Sequence, residues 1–278
     1  MNDRVTGVLM CPPDCYTVRD VKNPFMNPDA AIDPAAAARQ WTALCDTFAR
    51  LGVTPEFVEP ADDCEDMVFT ANQVFVGSGA QHVRFVVPSR MRYASRQREV
   101  SHVVTWFERR GYAVLDLGLR GDAFLEGHGD LLQQPGRRLV WAGYGFRSSA
   151  EGVQRFADAM HAEEIRVAPL RLIDPTFYHL DTCFMPLNEE ASLIYPGAFD
   201  AQSLDLLRRT VPRLHEVTRD EAMRFVCNGA RANEHFVVAH DSPALAGVLT
   251  AEGLTPVRVD VSEFEKGGGS VFCLKCFF

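Results

Sequence analysis

The sequence contains no long apolar run. No segment approaches the roughly 18 consecutive apolar residues needed to cross a bilayer, and the stretch from Met1 to Asp20 lacks the apolar core of a secretory signal peptide. We therefore expect a soluble, cytoplasmic protein that has no membrane partner. Low-complexity stretches are absent as well, so no segment has the composition of a linker between domains.

Positive charge is also scarce. The chain has 28 Lys and Arg against 37 Asp and Glu, a formal net charge of -9 at pH 7, and no long basic run. Proteins that bind phosphate backbones usually carry a clustered positive surface. We therefore expect no nucleic acid as a partner. An acidic protein can attract a small cation, although net charge says more about solubility than about any site.

The cysteines are not spaced as a disulfide framework or as a zinc site. The chain has 8 of them, and no secretory signal precedes them, which favours reduced thiols. Cys273 and Cys276 have the CxxC spacing of a metal or redox pair, but no second CxxC accompanies them. The other candidate metal cluster lacks HExxH-like spacing; it comprises His128, Asp130, His179 and Asp181. The sequence therefore predicts no metal.

Segment 143–148 follows a predicted strand and opens a predicted helix, as the glycine-rich loop of a dinucleotide-binding fold does. The position of its third glycine is occupied by Ser148, and the next strand-like segment, 165–169, lacks the acid that would bind a ribose. We therefore expect no cofactor. Arg147 at the start of that helix could instead bind a carboxylate by two parallel hydrogen bonds. A surface arginine is the alternative.

Alternating and continuous apolar patterns predict hairpins, each followed by an amphipathic helix and a single strand. The predicted hairpins are 70–77 with 82–88, 130–134 with 138–143, 182–187 with 191–195, and 224–228 with 235–240. The predicted helices after them are 93–110, 149–163, 201–211 and 243–252. A further copy is split between the termini, with strand 5–11, helix 35–51 and a closing strand at 270–274.

This unit recurs about every fifty residues, the spacing at which internal repeats become informative. We expect one α/β domain over residues 1–278, in which the modules form a closed ring around a central channel with helices outside. The inner ends of the hairpins would then face the channel. Titratable and amide side chains are concentrated there: Asp66, Asn72, Glu126, His128, Asp130, His179, Asp181 and, near the C-terminus, Cys273.

A cysteine combined with histidine and carboxylates is typical of a thiol nucleophile with an acid/base partner. Cys273 follows the glycine run 267–269, which lets the backbone turn sharply or approach a ligand. His179 and Asp181 would share one face of a strand, so the acid could orient the imidazole. From the residues alone, a buried structural cysteine, a structural histidine and a solvated turn at 126–130 stay open as alternatives.

Taken together, seven segments resemble the guanidine-modifying penteins, a superfamily of arginine deiminases, dimethylarginine hydrolases and amidinotransferases. The resemblance runs in the family's order from about residue 7 to the C-terminus. The segments are MCPPD at 10–14, NPFM at 23–26, DMVFTAN at 66–72, EGHGD at 126–130, GFRS at 145–148, HLD at 179–181 and GGGSVFC at 267–273. The resemblance implies a five-bladed α/β propeller of ββαβ modules.

The resemblance also implies roles. Cys273 would be the nucleophile and His179 the general acid/base, while Glu126, Asp66 and Asp181 would hold a guanidinium group or orient His179. The implied substrate-binding set contains Asp66, Asn72, Arg147, which would bind the substrate carboxylate, and also Asn23 and Asp130. A covalent amidino-cysteine would form and be hydrolysed without a cofactor. The expected partner is a small guanidino compound, and a homo-oligomer is left open.

One departure from the deiminase pattern indicates a subclass. Arginine deiminases have FTRD where this chain has FTAN at 69–72, so Asn72 replaces a carboxylate. This form most resembles the arginine dihydrolase group, which converts arginine to ornithine, carbon dioxide and ammonia. His128 is a second departure, since deiminases have EGGD at this motif. Hydrolysis of dimethylarginine to citrulline is the alternative, and a non-catalytic scaffold is a more distant one.

Overall fold

The computed structural model describes residues 4–27 and 29–278. Its strands form five separate three-stranded sheets of the same construction. In each sheet the middle strand pairs antiparallel with one neighbour and parallel with the other. A parallel pair needs a crossover connection, and a helix supplies it in every sheet. The predicted five-bladed α/β propeller is confirmed.

The strands and helices follow one another in repeated order. The strands are β1 (Gly7–Met10), β2 (Thr54–Phe57), β3 (Val74–Gly77), β4 (Phe85–Pro88), β5 (Ala113–Val114), β6 (Leu131–Gln133), β7 (Leu139–Tyr144), β8 (Arg166–Arg171), β9 (Phe184–Pro186), β10 (Ala191–Ile194), β11 (Arg213–Glu216), β12 (Ala230–Ala232), β13 (His235–Val238), β14 (Thr255–Arg258) and β15 (Cys276–Phe277). The α-helices are α1 (Pro34–Arg50), α2 (Ala94–Glu108), α3 (Gly127–Asp130), α4 (Ala150–Ala162), α5 (Ala201–Thr210), α6 (Arg219–Met223), α7 (Pro243–Ala251) and α8 (Ser262–Glu265). Short 3-10 helices span Pro13–Cys15, Leu180–Thr182, Pro196–Ala198 and Val226–Asn228.

The five predicted crossover helices are confirmed to within two residues at each end. Four of them begin at a side chain that accepts a backbone N–H of the first turn, namely Asp33, Ser149, Asp200 and Ser242. Such caps satisfy donors that have no partner inside the helix. No helix in the described ranges is long and apolar enough to cross a membrane.

The split copy closes the ring, but through a different strand from the predicted one. Strand β15 pairs antiparallel with β1, with Val8 opposite Phe277 and Leu9 opposite Cys276. The predicted strand 270–274 is wrong, since this segment forms turns. Gly268 has φ +89°, in the left-handed region that favours glycine, so the chain reverses there instead of extending. The pairing of the C-terminal segment with β1 therefore begins only after Cys273.

At the inner ends of two other hairpins, the predicted strand 224–228 is wrong and the predicted strand 182–187 starts two residues too early. Leu180–Thr182 and Val226–Asn228 are 3-10 helices, and the strands that follow begin at Phe184 and Ala230. Left-handed backbone at Phe225, with φ +57°, precedes the second of these turns. Because Asp181 lies in a helical turn, it does not share a strand face with His179.

Apolar and polar groups are segregated within the ring. Large apolar side chains such as Trp141, Phe184 and Phe236 are fully buried in the core between the sheets and the helices. Buried polar side chains are found at the inner hairpin ends, including Asp66, Glu126, His179 and Asn228. The turns that interrupt the predicted strands therefore bring polar groups to one mouth of the channel.

Candidate active site

A narrow cavity lies at this mouth, with a free volume of about 10 Å³. Five predicted site residues line it: Asn23, Asp66, Asn72, Arg147 and Cys273. Sequence analysis missed several of the others, which include Lys22, Met26, Phe69, Arg96 and Tyr178. The structure therefore brings together residues that lie up to 251 positions apart, from Lys22 to Cys273.

The thiol of Cys273 is held between a carboxylate and an amide. It donates to Asp181 Oδ2 at 3.2 Å, and Asn228 Nδ2 donates to Sγ at 3.2 Å. Burial and the neighbouring Asp181 raise the pKa of Cys273 well above its usual range, while the Asn228 hydrogen bond acts in the opposite direction. Burial also raises the pKa of Asp181, to about 7. The resting thiol is therefore protonated at neutral pH.

Asn228 also fixes the backbone that carries the thiol. Its Oδ1 accepts from Ser270 N at 3.0 Å and from Cys273 N at 3.3 Å. A Cβ at Gly269 would lie 2.8 Å from Cys273 Cβ, so a larger residue there would displace the thiol. Sequence analysis placed Asn228 on a strand. The Asn-Gly pair at 228–229, a common turn signal, could have indicated otherwise.

The imidazole of His179 is oriented by Glu126. Its Nε2 lies 2.8 Å from Glu126 Oε2, which also accepts from Arg147 Nη1 at 2.8 Å. Arg92 N donates to the other carboxylate oxygen at 2.9 Å. Burial works to raise the pKa of Glu126, but Arg147 and His179 outweigh it and hold that pKa below its usual range. Glu126 is therefore an anion that keeps a fixed contact with the imidazole.

The other imidazole nitrogen faces the neighbourhood of Asn72. A Cβ at Gly129 would lie 3.1 Å from His179 Nδ1 and 2.4 Å from Asn72 Nδ2. Gly129, the second glycine of the EGHGD motif, therefore leaves the space that His179 and Asn72 need. With Nε2 engaged by Glu126, Nδ1 is the nitrogen available for proton exchange.

Three buried side chains around the cavity keep polar atoms without a hydrogen-bond partner in the described ranges. They are Nδ2 of Asn72, Oδ1 of Asp181, which does not itself line the cavity, and both carboxylate oxygens of Asp66, of which Oδ2 lies in an ion pair with Lys22. Arg96 Nη1 donates to Asn72 Oδ1 at 3.0 Å, which fixes the orientation of that amide. Buried polar groups are rarely left unpaired unless a ligand meets them. The cavity therefore offers one free carboxylate oxygen, Asp66 Oδ1, for a cation and one amide donor beside it.

Arg147 is buried, so it is not the surface arginine that the sequence left open as an alternative. Its guanidinium lies over the rings of Tyr93 and Tyr178, at 4.7 and 4.9 Å from their centroids. Besides Glu126, it donates to Lys22 O at 3.0 Å. Its remaining N–H groups can reach an anion in the cavity, since Arg147 lines it.

The remaining predicted residues have other surroundings. Asn23 Nδ2 donates to Gly267 O at 3.2 Å, at the rim of the cavity. The lining residues do not include Glu126, His179, Asp181 or Asp130. Asp130 accepts from Ser148 Oγ at 2.6 Å and from Leu180 N at 3.0 Å, so it joins two turns. Within the described ranges, no three His, Cys, Asp or Glu side chains form a group that could hold a metal ion.

Comparisons with known proteins identify the family of this chain. A family model for N,N dimethylarginine dimethylhydrolase, eukaryotic, matches residues 17–276. The chain belongs to this dimethylarginine hydrolase family. Solved structures of the ArgZ N-terminal domain, an arginine dihydrolase of cyanobacteria, include a cysteine-to-serine variant bound to substrate and another variant covalently bound to a reaction intermediate. Each has a TM-score of 0.89 at 35% identity and covers 98% of this chain and 97% of that one.

Two curated relatives of this chain are named for different activities. The bifunctional arginine dihydrolase/ornithine cyclodeaminase ArgZ of Synechocystis is 37% identical over 270 residues, which are 96% of this chain. The N(G),N(G)-dimethylarginine dimethylaminohydrolase of Mycobacterium tuberculosis is 34% identical over 270 residues, 97% of this chain and 85% of that protein. The chain spans 37% of the length of ArgZ.

The charges around the thiol predict opposite effects of two nearly isosteric changes. Asp181→Asn removes the anion that raises the pKa of Cys273, so alkylation of that thiol should reach half its maximal rate at lower pH. Asn228→Asp keeps the acceptor for the backbone N–H groups but replaces the donor to Sγ with a negative charge, so the midpoint should rise. The measurement is iodoacetamide labelling of Cys273 against pH, followed by mass spectrometry.

Partly exposed Cys15, which lies outside the cavity, is the internal reference in the same samples. Its profile should not change in either variant. If both variants shift the Cys273 midpoint in the same direction, reagent access and not local charge controls the reaction, and the assignment of these two neighbours is wrong.

Proposed function

We propose that this chain hydrolyses the guanidinium group of free arginine through a covalent intermediate on Cys273 and releases ornithine, ammonia and carbon dioxide. The observation that carries the proposal is that Asp66, whose Oδ1 has no partner, and Asn72, whose Nδ2 has no hydrogen-bond partner, both line the cavity that contains the thiol. The carboxylate suits a guanidinium cation, and the amide donor suits a neutral ureido oxygen. The likeness to ArgZ supports it further.

Substrate binding would use both ends of the cavity. The carboxylates of Asp66 and Asp181 accept from the planar guanidinium, and Arg147 donates to the substrate carboxylate through its free N–H groups. Two opposite charges at fixed positions hold the guanidinium carbon near Sγ, which is a large part of catalysis by positioning. The bound cation also favours the thiolate of Cys273, whose pKa is raised in the unliganded enzyme.

The first cycle forms and breaks bonds at the guanidinium carbon. The Cys273 thiol gives its proton to His179 as Sγ adds to that carbon, and ammonia leaves after receiving that proton. The amidino group then stays on sulfur. Water, losing a proton to His179, adds to the same carbon, and the sulfur departs to leave citrulline. Glu126 stabilises the protonated imidazole through its contact with Nε2.

The second cycle repeats these steps on bound citrulline. Sγ adds to the ureido carbon, a second ammonia leaves, and water then releases a carbamate that loses carbon dioxide to give ornithine. Citrulline has no positive charge, so a carboxylate at position 72 would hold it poorly. Asn72 Nδ2 can donate to its oxygen, because Arg96 occupies the other end of that amide.

A single experiment tests the reaction and its nucleophile. Purified protein is incubated with arginine, and the products are identified by mass spectrometry. The wild type and Cys276→Ser should produce ornithine with two ammonia per arginine. Cys273→Ser should lose at least about a thousandfold in kcat, because covalent catalysis has no substitute route. Normal turnover by Cys273→Ser would exclude this mechanism.

Dimethylarginine hydrolysis is the second candidate, and the match to the family model and the mycobacterial relative favour it. It needs only the first cycle, with dimethylamine leaving in place of ammonia and citrulline as the other product. Parallel incubation with dimethylarginine separates the two functions. Dimethylamine at a much higher kcat/KM than arginine turnover would make this candidate the function.

Asn72→Asp should shift the product of arginine from ornithine toward citrulline, because a carboxylate cannot donate to the ureido oxygen. The ratio of the two products, measured by mass spectrometry at equal arginine consumption, checks this. Asn27→Asp is the control, since it adds the same charge at an exposed asparagine that does not line the cavity. An unchanged ratio in Asn72→Asp would remove the proposed role of the amide.

Lys22 occupies the site proposed for the guanidinium. Its ammonium forms ion pairs at 3.0 Å with Asp66 Oδ2 and at 3.0 Å with Glu65 Oε1. Burial works to lower the pKa of Lys22, but Asp66 and the other acids outweigh it and raise that pKa. Ligand pockets usually exceed about 300 Å³, far more than this cavity offers. Substrate must therefore displace the ammonium.

Lys22→Met should lower KM for arginine about three- to tenfold, because the guanidinium no longer competes with an internal cation and a tenfold change needs only about 1.4 kcal/mol. Steady-state kinetics measure it. Lys266→Met removes a lysine that is paired with Glu263 outside the cavity and should leave KM unchanged. A raised KM in Lys22→Met would mean that the ammonium assists binding.

The metal-independent chemistry, the single catalytic domain, the cytoplasmic location and a homo-oligomeric state stay predictions from the sequence. Activity after chelator treatment tests the first of these directly. The guanidino partner is part of the proposal above.

A further inference from the structure

A second cavity, of about 530 Å³, lies at the opposite mouth of the channel. Strands β3, β6, β9 and β12 each begin near active-site residues and end at this cavity; Gly77, Gln133, Pro186 and Asn233 line it. All five sheets contribute, since Phe277 of β15 lines it as well. Its volume is in the range of small-molecule pockets, about 300–1,000 Å³. The proposed reaction does not use it.

The charge of this cavity is opposite to that of the whole chain. Four cationic side chains line it, namely Arg4, Arg84, Arg231 and Lys275, and no Asp or Glu is among the described residues of its wall. None of the four makes an ion pair within residues 4–27 and 29–278. In a chain of net charge -9, four unpaired cations around one cavity are an unusual concentration. Their field attracts anions.

Lys275 is the most informative of these cations because it is buried, with 2% of its surface exposed. Its ammonium lies 3.2 Å from the ring centroid of Phe272 and 4.7 Å from that of Phe277, and it has no hydrogen-bond acceptor in the described ranges. Burial lowers its pKa to about 8. A buried ammonium without a counter-ion is costly. An anion in the cavity would supply the missing partner.

His128 also lines this cavity, but it is neither a cation nor a free acceptor there. Val76 N donates to its Nε2 at 3.0 Å, and its Nδ1 lies 3.2 Å from Leu131 O. Burial and the nearby Lys275 lower the pKa of His128 to about 3. His128, which departs from the deiminase motif, therefore faces the second cavity and not the thiol. The positive charge of that cavity comes from its lysine and arginines.

We propose that this second cavity binds an organic anion with two or more negative charges and an apolar body. The cations of Arg84, Arg231 and Lys275 would pair with the negative charges of this ligand. Aromatic rings of Tyr112, Phe272 and Phe278 line the same space and suit a flat apolar body. This site is independent of the arginine reaction proposed above.

The experiment is titration calorimetry of the full chain with two probes, benzene-1,3,5-tricarboxylate and 1-naphthyl phosphate. At least one should bind with 1:1 stoichiometry, and the stronger probe distinguishes carboxylate from phosphate chemistry. Lys275→Met should weaken that binding at least tenfold. Since this buried change could impair folding, the double variant Arg84→Gln/Arg231→Gln, at side chains that are not fully buried, should give the same loss.

The matched control is Arg155→Gln/Arg166→Gln, which removes the same charge at two exposed positions that line neither cavity. It should leave the affinity within twofold of the wild type. The proposal is wrong if neither probe binds the wild type. It is also wrong if the control pair weakens binding as much as the cavity pair, because the anion then responds only to overall charge.

Discussion

The pairing of β15 with β1 closes the ring, and the active-site residues meet because the ring is closed. Without this contact, Cys273 would lie on a free C-terminal segment and Asp66 on the first part of the chain. Closure also places the backbone of the two segments in contact, since Ala71 N donates to Cys273 O at 3.1 Å. Closure of the whole ring therefore determines which groups surround the Cys273 thiol.

Within the closed ring, the active site is organised by buried polar contacts that fall into two groups. One group is complete: Glu126 holds His179 and Arg147, and Asn228 holds the turn of Cys273. The other is incomplete, because Asp66, Asp181 and Asn72 keep unpartnered atoms. The complete contacts make the site rigid, and the atoms without partners remain free to bind a ligand.

The periodicity of the sequence predicted the helices and most of the hairpins, because those elements depend on local patterns of apolar residues and on caps such as Asp33 and Ser149. The predictions failed where hairpins meet the channel. There, side chains from other modules compete with the strand ladder for backbone N–H groups: Asn228 binds Ser270 N, and Asp130 binds Leu180 N. No local pattern records such contacts, because the partners are about forty to fifty residues apart.

The sequence by itself determined the repeated module, the identity of the thiol, imidazole and carboxylate groups, and the amide at position 72, since each follows from residue types in a fixed order. Only the tertiary structure decided which groups touch. It assigned Glu126 and not Asp181 to His179, placed Lys22 on Asp66, and set Lys275 behind the thiol in a second cavity. The reason is physical: partners of buried charges are chosen by distance and burial after the ring closes.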